Sequence, residues 1–453
     1  MRKSLMFLTA LLVLALAGGI ASIAALDGQQ DSIAVTQKTL YGDPAAVADL
    51  QVTAALHNGA NLYWQTTSTA GADIRTETKF SFSSKGYDWV EDWTGARFDW
   101  YFSSVNYSMS GSLDLEDKEN GGDWERYDTL LLPAIDVAGR TAAGETRTET
   151  CNLGDYYQYM RLTADYQLPG TDYQKRVLVL NALNDYFRVP VPDQCPVEVT
   201  VTKDETGQVC DVECHDLRED DEGSIWSVGT SAVCTDRGIY LAMSGRCDVS
   251  QIQGGYGVWF LPYGETDQGV YLDTAHLTNV YPLDASEVTG VTIQANWDGS
   301  QIYLLTQQDG EQTLTVLDCA SGQALQQLEL GQETVASIWA RETAAVVLNG
   351  DWETNEFKIQ TFVNDNGTLT PWLKTPLYQL NQEENTYREP AVFFDGERLV
   401  LGSFQDSWHL ASYRLTAYDR SGLVYAGDYT SSADDLPGTP FVVGDGEMQI
   451  TQQ

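Results

Sequence analysis

Asn296–Leu305 reads NWDGSQIYLL, and Phe393–Gly402 reads FFDGERLVLG. Each puts an Asp-Gly turn directly before an apolar run. Asp-Gly supplies the positive φ that a tight hairpin needs, so each stretch reads as a turn leading into a buried strand. Downstream of the first comes Leu314–Gly322, LTVLDCASG, and downstream of the second Leu415–Gly422, LTAYDRSG. Between them Phe357–Gly367, FKIQTFVNDNG, has the same strand-then-turn shape. The turn glycines Gly322, Gly367 and Gly422 therefore recur every ~45 to 55 residues, a period that marks a repeat architecture.

A unit of that length holds four short strands, with the Asp-x-x-x-Gly or Asp-x-Ser-Gly turn closing its outer hairpin. Stacked units of this kind make a β-propeller. The rest of the chain agrees in type. Thr76–Ser83 alternates after Thr78, and Val177–Leu180, Val197–Val201 and Gly257–Leu261 read as strands. Asn58-Gly59 and Ser421-Gly422 mark further turns. Ser224–Leu283, Arg161–Val201 and Gln51–Ser83 read as longer, degenerate units, and Asp114–Glu125 as an inserted acidic loop. Asp43-Pro44 is the one helical start, and its pattern ends within two turns. The expected fold is all-β, a propeller of roughly six to eight blades with seven preferred, over residues 46–450. A ring of blades closes by pairing strands from both chain ends. This places Phe441-Val442-Val443 or Met448–Ile450 beside a strand near Gln51–Leu56. A pair of β-sandwiches is the alternative architecture.

The N-terminus adds a location. Arg2 and Lys3 precede an uncharged run from Ser4 to Leu26, with Leu5–Leu16 almost wholly apolar. Two cations, an apolar run and then small residues form the layout of a secretory signal. Residues 1–26 are read as a signal peptide, or as a signal-anchor helix if they are never cut, and residues 27–45 as a linker. The chain is expected at the extracellular face of the membrane or secreted, touching lipid only through this segment.

Composition narrows the function. With 26 basic and 65 acidic residues the net charge is −39, and such a polyanion is repelled by nucleic acid. Hydrophobic residues make up 43% of the chain and aromatics 11%, ample for a packed core. Cys195, Cys210, Cys214, Cys234 and Cys247 cluster, and Cys151 and Cys319 stand apart. In an oxidising compartment the cluster makes these five the disulfide candidates. Cys210, Cys214 and His215 could instead begin a zinc site, but no second ligand pair follows, and no metal is assigned.

The C-terminal units resemble the blades of the WD40-like and quinoprotein-like propeller superfamilies. The resemblance rests on Asp298-Gly299 with Ile302-Tyr303-Leu304, and on Leu314-x-Val316-x-Asp318-x-x-Ser321-Gly322. It covers about a third of the chain and implies a propeller. The complete WD40 signature and the regular tryptophan spacing of quinoprotein dehydrogenases are missing, and no cofactor is expected. Thr39–Pro44, TLYGDP, leading to Leu62-Tyr63-Trp64, resembles uncharacterised membrane-anchored extracellular proteins of Gram-positive bacteria. That likeness implies surface location.

The candidate chemistry is sparse. His57, His215, His276 and His409 fall in separate units. There is no Gly-x-Ser-x-Gly elbow and no phosphate-binding or dinucleotide-binding glycine loop. Asp114–Asn120 and Glu219–Glu222 concentrate oxygen ligands that would suit calcium, but neither follows EF-hand spacing, and solvated loops are the plainer reading. Trp89, Trp93, Trp100 and Tyr101, interleaved with Asp88, Glu91, Asp92 and Asp99, could stack sugars or fill the wedge between blades. The sequence thus favours a surface-tethered or secreted non-catalytic binding module with a protein or carbohydrate ligand. The alternative is a hydrolase or lactonase-like enzyme, acting on a polysaccharide or small ester with carboxylates or calcium in a central channel.

Overall fold

Gly238–Gly245, GIYLAMSG, shows no polar alternation, and the computed structural model of the chain gives the reason. Both faces of this strand are buried. Ile239, Leu241 and Met243 enter one core with Val197, Val199 and Trp259. Tyr240 and Ala242 enter a second core with Val258, Ile302, Leu304 and Leu317. Successive side chains on a strand point to opposite faces, so a sheet between two others must be apolar at every position. The structure describes residues 2–58, 62–82, 96–100, 107–110, 128–159, 162–166, 175–177, 187, 191, 196–217, 228–245, 255–267, 269–284, 288–332, 335–351, 356–378, 390–404, 411–435 and 448–453.

The described strands form seven antiparallel sheets. The chain divides into two compact units, residues 1–93 with 341–453, and residues 94–340. In the second unit, Val228–Thr235, Gly238–Gly245, Gly257–Thr266 and Gly269–Leu272 pair in order, with Thr278–Pro282 also on Gly257–Thr266. Val288–Ala295, Gln301–Gln308, Glu311–Asp318 and Ala324–Gln332 form the next sheet. These are the units read from Ser224–Leu283 and from NWDGSQIYLL.

Arg161–Val201 does not hold together as expected. Leu162–Tyr166 pairs with Ala96–Trp100 on one side and Lys175–Val177 on the other, while Pro196–Lys203 pairs with Thr146–Asn152 and Val209–Asp216 in another sheet. A helix was also missed, Asp128–Arg140, which lies on that second sheet and buries Ala134 and Val137. Pro133 inside it and Gly139 near its end disguise the helical period. The apolar face it buries outweighs their propensity cost.

In the first unit, Ala391–Phe394, Leu399–Phe404, Tyr413–Asp419 and Gly422–Ser431 pair in order. Ala344–Asp351, Glu356–Asp365 and Thr368–Pro376 form a second set. Residues 27–45 are not a linker. Helix Arg2–Gln30 runs past Asp27, strand Val35–Gly42 follows, and Asp43 caps a short 3-10 helix at Pro44–Val47 by accepting from Ala45 N at 2.9 Å. Strand Val35–Gly42 pairs with Gly422–Ser431 as the outermost member of its sheet. At the other terminus, Met448–Gln452 pairs with Leu50–Asn58, setting Val52 opposite Ile450 and Ala54 opposite Met448. This is the terminal pairing expected from the sequence. Of the apolar run Leu5–Leu16, only Leu12, Val13, Ala15 and Leu16 have described side chains. Among the described residues no helix is long and apolar enough to cross a membrane.

Polar groups lock these termini. Arg398 donates to both carboxylate oxygens of Asp49 at 2.8 and 3.0 Å, to Asp395, and to Ala46 O at 2.5 Å. The guanidinium holds the Asp49 carboxyl below its usual range. Gln452 Nε2 donates to the same carboxylate at 3.3 Å. Deeper inside, the Tyr413 and Tyr429 rings stack 5.0 Å apart. The Tyr413 hydroxyl shares a 2.5 Å hydrogen bond with Ser68, and that of Tyr429 accepts from Gly71 N at 3.0 Å. Gln37 Nε2 donates to Tyr425, whose hydroxyl shares a bond with Tyr429 at 2.9 Å. Each buried hydroxyl here is hydrogen-bonded, which offsets its desolvation.

Candidate functional site

The aspartates of the repeat motifs are turn caps. Asp318 Oδ1 accepts from Ser321 N and Oγ, both at 2.7 Å, and Asp419 Oδ1 from Ser421 N and Oγ at 2.7 and 2.5 Å. Asp298 Oδ1 accepts from Ser300 N at 3.0 Å and Oγ at 2.6 Å. These bonds favour the ionised form, and the carboxyls of Asp298, Asp318 and Asp419 lie below their ordinary range. Asp318→Ala removes the oxygen that accepts both bonds and is expected to cost about 1–2 kcal/mol in chemical denaturation, whereas Asp318→Asn keeps Oδ1 and should cost less. Equal losses would show that the Oδ1 bonds do not hold this turn.

Three such turns meet at one end of two neighbouring sheets of the second unit. They are Thr235–Gly238, Asn296–Gln301 and Asp318–Gln323. Cys319 N donates to Ser300 O at 2.9 Å. Arg237 Nη1 and the Tyr240 hydroxyl both donate to Cys319 O, at 2.8 and 2.9 Å. A methyl group on Gly299 would lie 3.9 Å from Thr235 Cβ, and its φ of +69° is one a glycine adopts without strain. The middle turn is fixed from within as well: Asn296 N donates to Gln301 O, and Gln301 N to Asn296 Oδ1, each at 2.9 Å.

This rigid platform carries Trp297. Trp64, Trp259, Trp339 and Trp372 are buried, whereas Trp297 is 64% exposed. Asp298, next to it in the chain, is exposed, as are Asp236 and Arg237 in the adjoining turn. Sequence reasoning read NWDG as a turn and passed over its tryptophan. The available signal was a large apolar residue at a turn position that needs none.

The other candidates do not assemble a site among the described residues. Cys210 and Cys214 are free thiols rather than disulfide partners. They share strand Val209–Asp216 four positions apart, about 13 Å along it, too far to bridge. Cys214 lies opposite Val199, and Cys151 opposite Val197 on the far side of the same central strand. Two strand spacings, about 9.6 Å, exceed disulfide reach for that pair. Burial pushes the Cys214 thiol up to about 12 and raises that of Cys151, so neither is primed as a nucleophile. Cys234 lies on strand Val228–Thr235. Cys195 and Cys247 lie outside the described residues.

Cys214 and His215 are adjacent on a strand and face opposite sides, so they cannot share a zinc ion. No cluster of metal-ligating side chains occurs among the described residues. His276 Nδ1 meets Asp273 Oδ2 at 2.6 Å in an exposed 3-10 turn. His57 lies on strand Leu50–Asn58. His409, the acidic loops Asp114–Asn120 and Glu219–Glu222, and Trp89, Trp93 and Tyr101 lie outside the described residues. Trp100 ends strand Ala96–Trp100.

A second polar constellation ties helix Asp128–Arg140 to its sheet. The Tyr156 hydroxyl and Arg140 both donate to Asp136 Oδ2 at 2.7 Å, and Arg140 and Arg147 pair with Glu149. Each charge is answered within the cluster.

No family model matches the chain, and no curated protein does. Among solved structures, a putative 6-phosphogluconolactonase from Bacteroides uniformis aligns at 10% identity, covering 67% of this chain and 85% of its own, with a TM-score of 0.29. The β-propeller domain of Cps50 (Swd1) from Myceliophteria thermophila aligns at 11% identity over 63% of this chain and 86% of its own, with a TM-score of 0.23. A prolyl endopeptidase aligns at 11% identity over 84% of this chain, with a TM-score of 0.26, and the chain spans 42% of that enzyme's length.

Proposed function

We propose that this chain is an exported, non-catalytic binding module, that its sheets are propeller blades, and that the three-turn platform is part of its working face. The blade reading is supported by successive antiparallel sheets that share alternate faces with their neighbours, and by terminal strands that join sheets from the opposite end of the chain. Export is supported by Arg2 and Lys3 ahead of the uncharged run.

The observation that carries binding is Trp297, a large apolar side chain held in water by a turn with little freedom to fold it away. Aromatic residues on pre-organised turns give contact area at small entropic cost, which is how binding surfaces gain affinity. The test is a photo-crosslinking benzoylphenylalanine at position 297, irradiated in intact producing cells. A discrete adduct is expected there and none from the same residue at position 366, an exposed turn in the other unit. No adduct at 297 would overturn the assignment of this face. An impermeant protease added to the cells should degrade the chain, and protection would overturn export.

A further inference from the structure

The platform's charge says what it would hold. Besides Trp297, its turns contribute Asp236, Asp298 and Asp318, and their single cation, Arg237, is engaged with Cys319 O and lies 5.9 Å from the Phe260 ring centre. Asp298 and Asp318 each spend one oxygen on their turn, and the hydrogen bonds there keep them ionised. An indole face carries the negative end of its quadrupole outward, so an aromatic among carboxylates attracts cations twice over. The whole chain, at −39, steers in the same direction.

We propose that this platform docks a cationic protein partner, with a lysine or arginine of that partner over the Trp297 indole and the carboxylates of the same turns answering its charge. The inference rests on the binding-module reading and deepens it by naming the partner's chemistry. Anionic ligands are repelled. A neutral sugar would use the indole but not the charge.

The test titrates the full chain with labelled octalysine at 0.15 M salt, where long-range attraction is screened. Trp297→Ala leaves every charge in place, so it isolates the indole from bulk electrostatics. It should weaken binding about fivefold to thirtyfold, with Trp297→Phe keeping most of the affinity. Asp298→Asn, which retains the turn's acceptor, should weaken it about twofold to fivefold. In the unaltered protein, octalysine should shield the exposed tryptophan emission from acrylamide, a readout that survives even if a variant folds poorly. Undiminished binding by Trp297→Ala, no binding at all, or shielding by dextran and not by octalysine would each overturn the proposal. A photo-adduct at position 297 without octalysine binding would remove the cationic partner and leave the module standing.

Discussion

Removal of residues 448–453 is expected to lower the melting temperature by about 10 °C or more. The segment is short, but it supplies the strand that pairs with Leu50–Asn58 and two side chains of the first unit's core. Met448 and Ile450 are buried with Val52, Val400, Tyr413 and Leu415. Losing a buried Met or Ile costs roughly 2–5 kcal/mol each, and a domain of this size loses about 2–4 °C per kcal/mol. The deletion also strips Gln452 from Asp49 and Gln453 from Leu50 O, and it uncovers the edge of Leu50–Asn58. Gly402 shows how closely the strand fits, since a methyl group there would lie 2.7 Å from Met448 Sδ. Scanning calorimetry of the truncated chain decides the matter. Melting within 2 °C or so of the intact protein would mean the terminal strand does not complete the unit.

That terminal pairing was legible in the sequence because a chain of repeated short sheets was expected to close by pairing strands from its two ends. The hairpins around Asp298-Gly299 and Asp318–Gly322 were legible for a local reason: their turn chemistry lies within a few residues. What resisted reading was non-local. Pro196–Lys203 looks like a continuation of Arg161–Val201, yet its register is set by Thr146–Asn152 and Val209–Asp216. The strand Val35–Gly42, VTQKTLYG, has too few apolar positions to announce itself. It is held by backbone pairing with Gly422–Ser431 and by Gln37 on Tyr425. Spacing alone did not pair the cysteines: Cys210 and Cys214 are close in sequence, yet they lie four positions apart along one strand. Trp297 stood inside the deciding motif, but exposure is a property of the fold.

The tyrosines that tie the first unit together also set an alkaline limit for the protein. Burial raises the pKa of Tyr413, Tyr418, Tyr425 and Tyr429 in that unit, and of Tyr156 and Tyr240 in the other. Tyr303, wholly buried, is pushed up to about 12. A hydroxyl that ionises near 10 when unfolded and higher when folded keeps its full contribution below pH 10. The unfolded chain then sheds protons first, and that contribution drains away as pH rises toward the folded value. Each fully buried tyrosine costs up to about 1.4 kcal/mol per pH unit in this window, so a few of them in one unit weigh against the net stability of an ordinary domain, while the half-buried Tyr156 adds little. Unfolding is therefore expected between about pH 10 and 12, with phenolate absorbance at 295 nm rising together with loss of near-ultraviolet circular dichroism. Tyr303→Phe keeps the ring and removes the proton. It should recover up to about 3 kcal/mol near pH 12 while changing little at pH 7. Gradual ionisation of these tyrosines in a protein that stays folded would mean that the hydroxyls are open to solvent and that the core around them is not the one described.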